Sequence, residues 1–190
     1  MNCATVPADA GGVLLRTAVA MAVASLVLAC AVQVTLTLHR QWLIRAALEQ
    51  AEQRAVLMAS ELAQALASAA VLPPSFTWRS GAAEEQTLAL RPRGGPGARY
   101  RWLPQEMLVR YQQEGQRGSE RLADGIMSIV WQRDPPYQGG WLYVTAQGDA
   151  VIGALPDSLQ LNCSAGQHAC WQASRYVAHP EGLNALTGEP

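Results

Sequence analysis

Thr17–Leu38 reads TAVAMAVASLVLACAVQVTLTL, 22 residues without a charged side chain. As a helix rising about 1.5 Å per residue it is roughly 33 Å long, enough to cross a hydrocarbon core of about 30 Å. Arg16 stands before it, and His39, Arg40 and Trp42 stand after it, all residue types suited to the headgroup level. Such a run is too long and too unbroken for an ordinary buried helix, so the sequence predicts a single membrane span. Counting basic residues, Arg16 before the span against Arg40, Arg45 and Arg54 after it, weakly places the following chain in the cytoplasm.

No Gly or Pro occurs from Val13 to Leu72, so the span can continue as one helix until Pro73 and Pro74 end it. That helix would be 60 residues, about 90 Å long. In its second half Ile44, Leu48, Ala51, Ala55, Met58, Leu62, Ala65 and Ala69 recur at spacings of three and four. Arg45, Glu49, Glu52, Gln53 and Glu61 occupy the other side, which makes this half amphipathic with a narrow, Ala-rich stripe. Two partners fit the stripe: a second copy in a coiled coil, or a sheet of the same chain. The stripe carries few large residues for a coiled coil, so the sheet is the expected partner, with Ile44, Leu48, Met58 and Leu62 as packing residues.

Beyond the prolines the texture changes to short strand-like runs: Thr87–Arg91, Arg99–Leu103, Glu106–Gln112, Ile126–Gln132, Trp141–Thr145 and Ser158–Asn162. Gly94–Gly97 and Pro135–Gly140 read as loops. Met107, Val109 and Tyr111 alternate toward one face, as do Met127, Ile129 and Trp131, which suits an antiparallel sheet with one covered face. The fold class expected is therefore α+β: a long N-terminal helix, half transmembrane and half amphipathic, packed on a small antiparallel β-sheet.

The remaining composition narrows function by exclusion. The chain has 190 residues, 49% hydrophobic and only 15% charged, with 14 basic residues, all Arg, against 15 acidic ones. A net charge of −1 argues against a general polyanion binder. The one basic patch, Arg91, Arg93, Arg99 and Arg101 interleaved with Tyr100 and Trp102, could stack and neutralise single-stranded nucleic acid. Read plainly it is a solvated hairpin whose aromatics face inward, and no nucleic-acid or small-molecule partner is expected. No nucleophile elbow, phosphate loop or His-Glu-x-x-His occurs, and His39, His168 and His179 are scattered. Asp134, Asp149 and Asp157 read as turn residues. The expectation is a non-enzyme without cofactor.

Of the four cysteines, Cys3 lies near the N-terminus and Cys30 within the apolar run, leaving Cys163 and Cys170. The intervening SAGQHA is small and turn-forming, so a disulfide between them closes easily. With His168 and His179 they could also form a Cys2His2 metal set, although the spacing fits no common zinc pattern. A disulfide needs an oxidising compartment, and on that ground it outweighs the charge count and puts the C-terminal domain outside the cytoplasm.

AEQRAVLMASELAQAL (51–66), YRWLPQEMLVR (100–110), ERLADGIMSIVWQ (120–132) and ALPDSLQL (154–161) follow one another after the hydrophobic helix. This series resembles the type IV pilin-like superfamily, and within it the J-type minor pseudopilins of type II secretion and the W-type minor pilins. The resemblance implies a leader peptide over 1–12, cleaved between Gly12 and Val13, a transmembrane half over 13–39, a stem over 40–72 and a periplasmic β domain over 73–190 with a disulfide-bonded tail. It implies a single-pass inner-membrane subunit that initiates or caps a pseudopilus or pilus beside other minor pilins or pseudopilins. Two departures stand out: the leader MNCATVPADAGG has no Arg or Lys, and Thr17 occupies the fifth position after the cut, where the family carries Glu. A subunit without that acid suits a filament tip. Two alternatives remain from other classes: a lipoprotein acylated at Cys30, whose preceding residues LVLAC resemble a lipobox, and a plainly anchored sensor or assembly protein.

Overall fold

The computed structural model describes residues 10–134, 139–151 and 168–178. Helix α1 (Ala10–Ser68, 59 residues) is unbroken and is followed by eight strands. These are β1 (Phe76–Arg79), β2 (Gln86–Leu90), β3 (Ala98–Leu103), β4 (Leu108–Gln113), β5 (Glu120–Ala123), β6 (Ile126–Asp134), β7 (Gly139–Val151) and β8 (His168–Ala178). The chain divides into two compact units, 1–42 and 43–190.

In the first unit α1 carries its apolar side chains outward. In the second unit the rest of α1 packs on two antiparallel sheets, ordered β1-β6-β7-β8 and β2-β3-β4-β5. The α+β class and the helix-on-sheet packing are as the sequence predicts, but the single sheet is two. One core joins them. Met58, Leu62 and Leu66 of α1 meet Ile129, Trp131, Leu142 and Val144 of the first sheet and Tyr100, Trp102 and Val109 of the second. The Trp78 and Trp102 rings, one from each sheet, lie 6.4 Å apart and nearly parallel.

The helix stops at Ser68, four residues before the expected end, because its C-terminal backbone finds strand-like partners first. Arg93 N donates to Ser68 O at 3.2 Å, Ala70 N donates to Arg91 O at 2.8 Å, and Ala69 bridges Pro92. The carbonyl that helix ends leave orphaned is thereby satisfied by the β2–β3 loop rather than by a further turn. Trp131 Nε1 then donates to Pro73 O at 3.2 Å and Arg133 N to Ser75 Oγ at 3.0 Å, which leads the chain into β1.

Strand boundaries differ from expectation in particular places. Met107 is in the left-handed region (φ 49°) within the turn before β4, so it does not share the inward face of Val109 and Tyr111. Its carbonyl instead accepts from Ile126 N at 3.1 Å. In β6 the register shifts between Ile126 and Ser128, so Ile126 joins Ile129 and Trp131 in the main core, while Met127 is buried apart from it against Cys170. β1, β5 and β8 are strands beyond those the sequence pattern predicts, and β7 extends well past Thr145. The expected strand Ser158–Asn162 lies outside the described residues.

Candidate functional site

Two features of this chain can carry a role: the apolar part of α1, and a polar clasp that fixes the stem part of α1 to its sheet. Among the described residues α1 alone is long and apolar enough to cross a membrane, and none of its most apolar stretch is buried. Large side chains from Val13 to Leu38 stand exposed, among them Leu14, Met21, Leu28 and Leu36. Moving a dozen such side chains from water into hydrocarbon is worth roughly 20–30 kcal/mol at about 2 kcal/mol each, more than the net stability of an average domain. An apolar surrounding therefore decides the state of this segment.

The polar residues inside the run are consistent with that surrounding. Thr17 Oγ1 donates to Leu14 O and Ser25 Oγ to Ala22 O, both at 2.9 Å, while Thr35 and Thr37 donate to Ala31 O and Gln33 O at 2.8 Å. Each hydroxyl is satisfied within the helix, so none needs water. His39 and Trp42 stack at 6.3 Å where the apolar run ends. Gly12 and Val13, the expected cleavage point, lie inside the continuous helix, and Thr17 is exposed one turn later. Cys30 is an exposed free thiol in the middle of the run.

In the second unit the buried line of α1 runs Ala47, Ala51, Ala55, Met58, Ala59, Leu62 and Leu66, and Ala69 just beyond its end is buried too. Met58 and Leu62 are fully buried in the main core. Ile44 and Leu48 are only partly buried, packed around a smaller cluster of Ala47 and Ala169. The small residues matter because β7 comes very close here: a Cβ on Gly148 would lie 2.3 Å from Ala47 O.

Beside that contact sits the clasp. Arg54 donates from Nη1 to Asp149 Oδ1 at 2.7 Å and from Nη2 to Asp149 Oδ2 at 2.9 Å, a two-pronged pair, and from Nη1 to Gln147 O at 3.0 Å. Its Nε faces Asp124 Oδ1 at 3.3 Å, and Arg121 also pairs with Asp124. One turn before Arg54, Gln50 donates to Asp149 Oδ2 at 2.7 Å and accepts from Asp149 N at 3.1 Å. The Arg54 hydrogen bonds hold the Asp149 carboxyl below the usual carboxylate range, with Gln50 adding to the effect against partial desolvation. Gly125, at φ 65°, closes the arrangement: a Cβ there would meet Arg54 Nη1 at 2.7 Å. Asp149 is thus no mere turn residue, and no local signal in the sequence ties it to Arg54, 95 positions earlier.

The basic hairpin is dismantled as a stacking surface, since Tyr100 and Trp102 are buried in the core and burial pushes the Tyr100 phenol up. Arg101 pairs with Glu85, and Arg91 lies 3.9 Å from Glu114. Cys170, in β8, is disulfide-bonded and buried; its Sγ touches Met127 Sδ at 3.4 Å, a packing contact since a disulfide sulfur carries no proton. Cys163 and His179 lie outside the described residues, as does the side chain of His168. Among the described residues no three His, Cys, Asp or Glu side chains gather as a metal set. No protein-family model matches the chain, and no curated protein or solved structure does so either.

Proposed function

We propose that this chain is a pilin-like structural subunit, anchored in the bacterial inner membrane by α1, that initiates or caps a type II secretion pseudopilus or a type IV pilus. The observation that supports the reading is one unbroken helix with two characters. Its first part is an exposed, charge-free apolar surface with self-satisfied hydroxyls; its second packs on small antiparallel sheets. The bonded state of Cys170 favours a periplasmic rather than cytoplasmic domain. Other minor pilins or pseudopilins would meet the Thr17–Leu38 surface through its Ala and Ser positions. Thr17, whose hydroxyl is already used by Leu14 O, offers no charge to a neighbour's N-terminal ammonium, which fits a tip position and not a repeating one.

The mature N-terminus tests this. Intact-mass and N-terminal peptide analysis of protein from its native host is expected to give a chain beginning at Val13. A diacylated Cys30 would establish a lipoprotein instead, and a retained Met1 a plain anchor; either outcome overturns the reading.

A further inference from the structure

The outward face of the β1-β6-β7-β8 sheet is chemically unlike the rest of the surface. Leu142, Val144 and Ala146 of β7 point into the core, which turns Trp141, Tyr143 and Thr145 outward. Trp141 and Tyr143 lie nearly parallel, 6.2 Å apart and 22° from coplanar. Tyr176 of β8 meets Trp141 edge-on at 5.3 Å and 67°, forming a wall beside the two rings. Trp141 remains 43% exposed and Tyr176 41%, far more than rings that serve a core.

Val130 stands across from Tyr143 as an apolar neighbour, and the other residues next to the rings are mostly neutral and able to hydrogen-bond. Gln132 pairs across from Trp141, Ser174 across from Tyr143, and Gln172 across from Thr145. Among the described residues of this face, charge stands on Arg79 at the end of β1 and on Asp134, the next outward position after Gln132 at the end of β6. Two outward positions on β1, Thr77 and Arg79, and at least three on each of β6, β7 and β8 cover roughly 14 Å by 20 Å, on the order of 300 Å². A stable protein partner needs about 800 Å² on each side, so this area suits a smaller occupant. An uncharged centre of aromatic faces ringed by amides and hydroxyls complements a ligand with apolar C–H faces, hydroxyl edges and no charge.

We propose that this face binds an uncharged β-linked glycan chain, with sugar rings lying on Trp141 and Tyr143 against the Tyr176 wall and hydroxyls reaching Gln132, Gln172 and Ser174. The site does not depend on the pilin-like assignment. The test uses the full chain in a detergent without a sugar headgroup, titrated with chitohexaose and cellohexaose by calorimetry, with polygalacturonate as a charged control. At least one uncharged hexamer is expected to bind and the polyanion not to. Trp141→Ala should weaken binding about tenfold, the loss of one good ring contact, while Trp141→Phe stays within about threefold. Ser174→Asp, which removes no packing, should weaken binding with an unchanged melting temperature. The proposal is overturned if neither hexamer binds, or if both Trp141→Ala and Ser174→Asp bind like the parent. It is equally overturned if sedimentation reveals a dimer of this chain that those two substitutions abolish.

Discussion

The two parts of α1 draw on nearly the same residues, largely Ala, Leu and Val, yet one exposes them and the other buries them. The difference lies in where the polar residues go. From Thr17 to Leu38 there is no charge on any side, and the few hydroxyls bond to the helix's own carbonyls. From Leu43 onward Glu49, Glu52, Gln53 and Glu61 take the outer side, and Arg54 stands at the edge of the stripe with a carboxylate waiting on β7. Composition alone would call both halves hydrophobic. Periodicity separates a helix that needs an apolar surrounding all round from one that needs a sheet along a single line.

One aspartate placed in each half should break this comparison most sharply. Leu62→Asp puts an unpaired charge at a fully buried core position and is expected to cost on the order of 4–5 kcal/mol, enough to unfold the domain. Leu28→Asp should leave the thermal unfolding of that domain unchanged and instead oppose membrane insertion by about 3 kcal/mol, seen as extraction of the protein by alkaline carbonate. If Leu28→Asp unfolds the domain as Leu62→Asp does, the two halves are not distinct in the way described.

A second substitution sharpens the stem side. Gly148→Ala brings a methyl within 2.3 Å of the Ala47 carbonyl, a contact between backbones that no side-chain rotation relieves. Helix and strand must separate, and a loss of about 1–3 kcal/mol in denaturant unfolding is expected. Gly81→Ala, with open space around it, loses only the ease with which glycine adopts φ 87° in a turn. A Gly148→Ala protein as stable as its parent would mean that the close approach of β7 to the stem carries no weight.

How much of this was legible beforehand follows the same division between local and distant causes. The long helix, its two characters and the burial of Met58 and Leu62 are periodic signals, confined to neighbouring residues, and could be read directly. The exit at Ser68 could not, because it depends on Arg91 and Arg93 arriving from another element. β5 reads ERLA and shows no apolar alternation, and β8 offers only the small residues Ala169 and Ala173 with Val177 as its inward pattern, too faint to mark a strand. The division into two sheets is a matter of which strands pair, and the β1–β6 and β7–β8 pairings join segments too far apart for local pattern to specify. The clasp was invisible for the same reason: Arg54 and Asp149 each have an ordinary local explanation.

That clasp makes the stem's attachment depend on acid in a way the apolar half cannot. The folded-state value of Asp149 is depressed, mainly by Arg54, so its contribution is present above the ordinary carboxylate value near 4. It is lost as pH falls through that value toward the lower folded one. Asp149 is largely exposed, so the pair is worth no more than about 1 kcal/mol despite its two-pronged geometry. Asp149→Asn should therefore lower stability at pH 7 by up to about 1 kcal/mol and flatten the acid limb of the stability curve below the ordinary carboxylate value near 4. Equal acid limbs for the parent and Asp149→Asn proteins would assign the acid sensitivity elsewhere.

The smallest expected effect is the most discriminating for the direction of the stem. Glu61 is the immediate neighbour of Leu62, yet it lies on the exposed side of α1 and makes no ion pair among the described residues. If the domain's own sheets are the partner of the stripe, Glu61→Ala removes a solvated carboxylate and gains helix propensity, and the net change in stability should fall within about 0.5 kcal/mol. A coiled coil predicts otherwise. There the residue beside a seam position contributes to charge pairing with the second helix, and its removal changes the dimer rather than the monomer. Sedimentation and denaturant unfolding of Glu61→Ala over a hundredfold range of protein concentration separate the two cases. A monomer with an unchanged, concentration-independent midpoint is expected; a midpoint that moves with concentration would place the stripe against a second copy and take the sheets out of the argument.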